Sequence, residues 1–390
     1  MALTHRITLL GAGTCVAVLL ASCSTARTSP ASSARTSLSS TAGPTGADSS
    51  TSVASDAGST FAGTPPPTGR RAPVGTPRTV TAGLAAPWSV VFHGDTPLVS
   101  ERDSARILEL AADGAARPIG TIPGVAAAGE GGLLGLAVDE QSRLYAYFTA
   151  DDGNRIARFD ISGEPGSLTL GPPETILDQI PSASYHDGGR LAFGPDQMLY
   201  ATVGDAGQSD RAQDLDSLSG KILRMTPDGE VPQGNPYPGS LVYSYGHRNP
   251  QGLTWTDDGT MFATEFGQNT WDELNIITPG SNYGWPTVEG IAGTDGFTDP
   301  VQQWAPQDAS PSGMTSIGGT LFIANLRGAV LRAVPAADPT TSTDYFSGEF
   351  GRIRDVTVAP DGRLWFVTNN TDGRGTPRPG DDQILSVDVE

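Results

Sequence analysis

Leu191-Ala192-Phe193-Gly194-Pro195-Asp196-Gln197-Met198-Leu199-Tyr200 reads as two short strands around a turn, with apolar runs flanking a Gly-Pro-Asp corner. Glycine and proline at the corner cannot continue either strand, and the aromatic ends supply side chains large enough to pack between sheets.

The pattern recurs. It is present as Ser89-Val90-Val91-Phe92 before Pro97-Leu98-Val99, and as Leu134-Gly135-Leu136-Ala137-Val138 before Leu144-Tyr145-Ala146-Tyr147. It returns as Gly252-Leu253-Thr254-Trp255 before Met261-Phe262, as Gly313 to Ile317 before Leu321-Phe322-Ile323, and as Asp355-Val356-Thr357-Val358 before Leu364-Trp365-Phe366. Aligning Leu98, Leu144, Leu199, Met261, Leu321 and Leu364 gives steps of 46, 55, 62, 60 and 43 residues. Each step holds about four short strands with their loops, the content of a propeller blade. The expected fold is all-β: a six-bladed β-propeller with four-stranded antiparallel blades. A β-sandwich is the competing all-β architecture, and six such hairpins overfill it.

The chain divides by composition. Residues 1–23 carry His5 and Arg6, an apolar stretch from Ile7 to Leu20, and the ending Leu20-Ala21-Ser22-Cys23. That is the grammar of an export signal with a lipobox, in which the Cys23 thiol receives the lipid. The apolar stretch is shorter than the roughly 20 residues a membrane-spanning helix needs. The expectation is an exported protein, lipid-anchored to the outer face of the cell membrane. Residues 24–77 are dominated by Ser, Thr, Ala, Pro and Gly, too poor in apolar side chains to fold, and are assigned to a disordered tether. Residues 78–390 are assigned to the propeller. Cys15 and Cys23 are the only cysteines, so no disulfide is expected there. A net charge of -19 with Lys221 the sole lysine excludes nucleic acid as a partner.

Few residues can do acid-base chemistry. Downstream of Cys23 there are three histidines: His93 in a hairpin turn, His186 and His247. His186 stands in Tyr185-His186-Asp187-Gly188-Gly189-Arg190, just before an innermost strand that opens onto the propeller axis. Asp205, in the loop closing the hairpin, is placed to return and orient the imidazole as a carboxylate behind a base does. Spacing alone leaves a loop-capping histidine equally open. Arg248 and Asn249 in Gly246-His247-Arg248-Asn249-Pro250 offer N–H donors to an oxygen gaining negative charge, or an arginine paired with a surface acid. The polar loop Thr264 to Glu273, with Gly267 at its turn, can aim backbone carbonyls at a hard cation. Arg327, Arg352 and Arg354 suit an anion with several carboxylates or ordinary ion pairs; Arg352 and Arg354 share a strand face.

In order, Glu130-Gly131-Gly132-Leu133-Leu134-Gly135-Leu136, His186 to Leu191, Gly204-Asp205, Gly246 to Leu253, Asn282-Tyr283-Gly284-Trp285-Pro286 and Arg352-Ile353-Arg354-Asp355-Val356 resemble the soluble quinoprotein glucose dehydrogenase and aldose sugar dehydrogenase family, the glucose/sorbosone dehydrogenases. The resemblance runs from Ala86 to the C-terminus. It implies a six-bladed propeller that binds pyrroloquinoline quinone (PQQ) and calcium and oxidises the C1 hydroxyl of an aldose, or a related alcohol, to a lactone. An electron acceptor of the cell envelope then reoxidises the cofactor. Carried over by position, His186 is the base, Asp205 its orienting acid, and Arg248 and Asn249 the donors to the quinone oxygen. Gly267 and Gln268 give carbonyls to calcium with Asp272 as a supporting acid, and Arg327, Arg352 and Arg354 meet the cofactor carboxylates. Three positions depart from the family: Glu130 stands where many relatives have glutamine, adding negative charge near the substrate, Gln268 where proline is usual, and Phe266 where a polar residue is usual. Two other classes compete: a non-catalytic envelope lipoprotein using the propeller for binding or scaffolding, and a metal-dependent propeller lactonase, for which convergent carboxylates are too few.

Overall fold

The computed structural model describes residues 70–390. The signal segment with Cys23, and the tether as far as residue 69, lie outside the described residues. Six four-stranded antiparallel sheets are present, plus one small two-stranded hairpin, Ile161–Ser162 with Thr169–Leu170. The only helical element among the described residues is a 3-10 turn, Ser209–Gln213.

Every repeat read from the sequence is the inner hairpin of one blade. The innermost strands are Pro87–His93, Leu133–Val138, Leu191–Phe193, Pro250–Trp255, Pro311–Ile317 and Ile353–Val358. Each pairs with the strand bearing one of the six aligned residues, from Leu98 to Leu364, all of them buried. Burial declines outward: Leu199–Val203 is buried throughout, whereas the outer strand Ala116–Thr121 is mostly exposed. The apolar side chains form six clusters, and each spans at least two neighbouring sheets, including one joining Val367 and Ile384 of the last blade to Val90 and Val99 of the first. The ring is therefore closed, and its cohesion is inter-blade burial of apolar area.

One boundary is corrected. Pro73–Ala82 is a strand paired antiparallel with Gln383–Val389, in register Pro73 to Val389 and Ala82 to Gln383. Residues 73–77 thus belong to the propeller, whose last blade is built from both ends of the domain. Their exposed, Pro- and Gly-rich character made them resemble tether; an outer strand buries little, so its composition carries little signal.

Antiparallel order fixes which loops share a face. In every blade the loop after the second strand and the connection leaving the fourth lie on the same side. Arg102, Asp205, Phe266, Arg327 and Arg374 sit in second-strand loops, and Glu130, His186, Arg248, Ser310 and Arg352 in inter-blade connections. His93 ends an innermost strand at the hairpin turn on the other face.

Candidate active site

His186 is held in place by backbone geometry that its neighbours permit. It adopts φ +61°, the left-handed region, and Gly188 follows at +68°. A Cβ on Gly204 would lie 1.9 Å from the His186 carbonyl, so glycine there lets the two loops dock. Asn249, fully buried, accepts the Gly188 N–H through Oδ1 at 3.0 Å. Its Nδ2 has no partner among the described residues, so it braces the histidine loop and keeps a donor in reserve.

The His186 Nδ1 is 2.7 Å from Asp205 Oδ1. Asp205 also accepts the Gly207 N–H at 2.8 Å and, through Oδ2, the Trp285 indole N–H at 2.9 Å. Burial alone would push this carboxyl up, but His186 and the two N–H donors outweigh it and hold Asp205 below the usual carboxylate range. An ionised Asp205 holds the proton on Nδ1, which leaves Nε2 as the basic nitrogen. The Arg248 guanidinium lies over the Trp285 ring at 5.4 Å and donates to the Phe266 carbonyl at 3.1 Å.

Glu130 connects the histidine to the neighbouring pocket. Its Oε2 accepts the His186 backbone N–H at 3.0 Å and its Oε1 pairs with Arg374 at 3.1 Å. Together with Arg102, Arg327, Arg352, Arg354, Arg374, Phe266 and Ser310 it lines a cavity of about 210 Å³. Five arginines thus face one carboxylate, with the buried Asp372 behind Arg352 at 3.0 Å. The buried Nε atoms of Arg248, Arg352 and Arg354 have no hydrogen-bond partner among the described residues. Burial pulls the Arg354 guanidinium down to about 9, against the attraction of Asp372. An anion entering here would relieve that penalty and satisfy the unpaired donors, so the donor set fits a ligand with several carboxylates.

Below this cavity the axis is plugged. Trp88 lies between Arg190, at 4.3 Å from its ring, and Arg354, at 5.6 Å. Arg354 donates to Gln251 Oε1 at 2.7 Å, Arg190 donates to the Gln251 carbonyl at 2.9 Å, and Arg190 pairs with Asp355 at 3.0 Å. Beyond the plug a channel cavity of about 310 Å³ is walled by all six innermost strands.

The predicted metal loop is braced by two acids. Asp272 is buried, and its oxygens accept the N–H of Gly267 at 2.9 Å and of Ser310 at 2.6 Å. It ties two loops together and supports the predicted ligand Gly267 directly. Burial pushes its carboxyl up to about 6 against those two N–H donors. The N–H groups of Gln268, Asn269, Thr270 and Trp271 converge on Glu289 Oε1 at 2.7 to 3.3 Å, and the Phe266 carbonyl is occupied by Arg248. The carbonyls of Gly267 and Gln268 have no hydrogen-bond donor among the described residues, so these two predicted ligands stay open. Among the described residues no group of three or more His, Cys, Asp or Glu is placed to hold a metal.

The structure therefore brings His186, Asp205, Glu130 and Arg248 into one contiguous network and places Arg327, Arg352 and Arg354 on the adjoining cavity. His247, by contrast, is structural: fully buried, bonded to Ser244 and Glu265, and stacked on Tyr283. Arg102, Arg374, Asp372 and Glu289 escaped sequence reasoning, since each is a single charged residue in a loop with no local pattern. Trp285 stood in a recognised segment, but only the folded chain reveals its bond to Asp205.

The sequence profile of the glucose/sorbosone dehydrogenases matches residues 84–377. The chain belongs to this family. Among similar family members, aldose sugar dehydrogenase YliI of Escherichia coli is 31% identical over 337 residues, covering 74% of this chain and 89% of that protein. Quinoprotein glucose dehydrogenase B of Acinetobacter calcoaceticus is 31% identical over 260 residues, covering 56% of this chain; the match spans only 54% of that protein. Among solved structures, the PQQ-bound aldose sugar dehydrogenase of Streptomyces coelicolor superposes with a TM-score of 0.78 at 49% identity, covering 82% of this chain and all of that one.

Proposed function

We propose that this protein is a PQQ- and calcium-dependent dehydrogenase that oxidises the C1 hydroxyl of an aldose, or a related alcohol, to a lactone. The observation that carries the reading is the His186–Asp205 pair, joined through Glu130 to a cavity walled by five arginines. The PQQ-bound state of the Streptomyces relative supports the choice of cofactor.

Arg327, Arg352 and Arg354 would hold the quinone carboxylates, with Arg102 and Arg374 adding charge, while Arg248 and the free Nδ2 of Asn249 donate to a quinone oxygen. The carbonyls of Gly267 and Gln268 would hold calcium. When bound, the cofactor supplies the acceptor for the hydride equivalent that leaves the sugar carbon. The chain's own part is proton transfer: Nε2 of His186 takes the hydroxyl proton, and Asp205 stabilises the resulting imidazolium. Glu130 fixes the backbone beneath the base and places a carboxylate beside the substrate.

Reconstituting the full chain with calcium and the quinone, then scanning aldoses with an artificial electron acceptor, tests the reading. The expected result is calcium-dependent turnover; no quinone binding by calorimetry overturns it. A non-catalytic binding role predicts no consequence for substitution of His186.

The site would work from the outer side of the cell membrane, passing electrons to an acceptor in the envelope. Leu20-Ala21-Ser22-Cys23 supports that placement, and no helix among the described residues is long and apolar enough to cross a membrane. Cys23→Ser should release the protein from the membrane fraction; unchanged fractionation would refute the anchor.

A further inference from the structure

A second cavity, about 570 Å³, opens beside the arginine-lined one and shares Leu326, Arg327, Arg352 and Arg374 with it. Gln307, Thr376 and Arg378 belong to its outer part. Four arginines line the groove: Arg327, Arg352 and Arg374 are shared with the cofactor cavity, and Arg378 belongs to the groove alone.

The segment bearing two of them is built to turn its acids inward. Asp372 Oδ1 accepts the N–H groups of Arg374 and Gly375 at 2.8 and 3.1 Å, and Asp381 accepts that of Arg378 at 2.7 Å. The Asp372 side chain is wholly buried, whereas that of Arg374 is 48% exposed. Arg378 is fixed to the wall by the carbonyls of Glu349, at 2.6 Å, and Gly348, at 3.3 Å, and makes no ion pair among the described residues. Arg327 has no ion-pair partner among the described residues. Arg374 also reaches Glu130, whose other oxygen takes the His186 N–H. Two side chains therefore span from the base to the groove.

We propose that this groove binds an acidic group on the sugar unit beyond the one oxidised, so that the preferred substrates include acidic di- or oligosaccharides. Fixed guanidinium groups recognise carboxylates by charge and by paired N–H donors. The inference rests on the dehydrogenase reading for its substrate, but not for the groove itself.

The test is a calorimetric titration of the full chain, with and without quinone, at low salt, using digalacturonate and the neutral disaccharide cellobiose. Thr376→Glu sets a negative charge on the groove wall at an exposed side chain, leaving the cofactor cavity alone. The expected result is digalacturonate binding that persists with quinone bound, weakens about tenfold in Thr376→Glu and weakens with salt, while cellobiose is indifferent to both. Equal affinity for the two disaccharides, no effect of Thr376→Glu, or displacement of the acid by quinone each overturns the inference. Arg378→Ala, checked for an unchanged melting temperature, should weaken acid binding in the same direction. Digalacturonate binding without quinone binding would leave the groove standing and overturn the cofactor instead; quinone binding without digalacturonate binding would do the reverse.

Discussion

Asp205 uses both carboxylate oxygens at once: Oδ1 faces His186 Nδ1 at 2.7 Å while Oδ2 accepts the Trp285 indole N–H at 2.9 Å. The indole therefore fixes the acid, and the acid fixes the imidazole. Asp205→Asn keeps the shape but removes the charge that selects the tautomer. Steady-state kinetics should show kcat falling at least about 100-fold with the sugar KM little changed. A retained kcat would remove Asp205 from the proton-transfer machinery.

Asp187 gives a pH dependence of stability. Burial, the dominant cause, pushes its carboxyl up to about 6 against the donors Asn154 and Ala183, and its Oδ2 has no partner among the described residues. Below the unfolded value near 3.8 both states are protonated; between there and about 6 only the unfolded chain ionises. Its contribution is therefore full at the acid end and lost as pH rises through about 6. Asp187→Asn should raise stability at pH 7 by up to about 3 kcal/mol and change little near pH 3.5. Denaturant melts at the two pH values check the difference; an equal shift at both contradicts it.

The Arg190–Asp355 pair is buried on the propeller axis. Arg190→Met strands a buried carboxylate and should cost about 3 to 5 kcal/mol. Asp355→Asn added to it keeps an acceptor for the Val90 N–H, now made to Asp355 at 3.0 Å, and should recover most of that loss. Additive penalties in this double-mutant cycle would show that the two groups act independently.

Deleting Pro73–Ala82 from the full chain strips the outer strand from the last blade and exposes the edge of Gln383–Val389. Ile384, Leu385 and Val387, buried on that strand, would then lie on the open edge. Loss of the cooperative unfolding transition, with aggregation, is the expected outcome by calorimetry and light scattering. A native-like melt would mean that the ring closes without this strand.

Legibility followed local pattern. The inner hairpins could be read because both of their strands are buried between blades, which forces apolar runs onto them; the outer strand 73–82, mostly exposed, could not. His186 and Asp205 could be placed because a single hairpin brings their loops to one face. The role of Asp272 as a supporting acid could be read only as far as its place beside a polar loop; that its oxygens meet Gly267 and Ser310 is visible only in the folded chain.

The sequence by itself determined the number of blades, their antiparallel order, the side on which the loops gather and the histidine before the third innermost strand. These depend on periodicity and on neighbours along the chain. Only the tertiary structure decided that Glu130 joins His186 to Arg374, that five arginines from three blades share one cavity, and that Asp372 turns inward while Arg378 does not. The contacts of Glu130 with His186 and Arg374, and the cavity that Arg102 and Arg327 share with the last blade's arginines, join residues tens to hundreds of positions apart, where ring closure rather than local preference sets the distances.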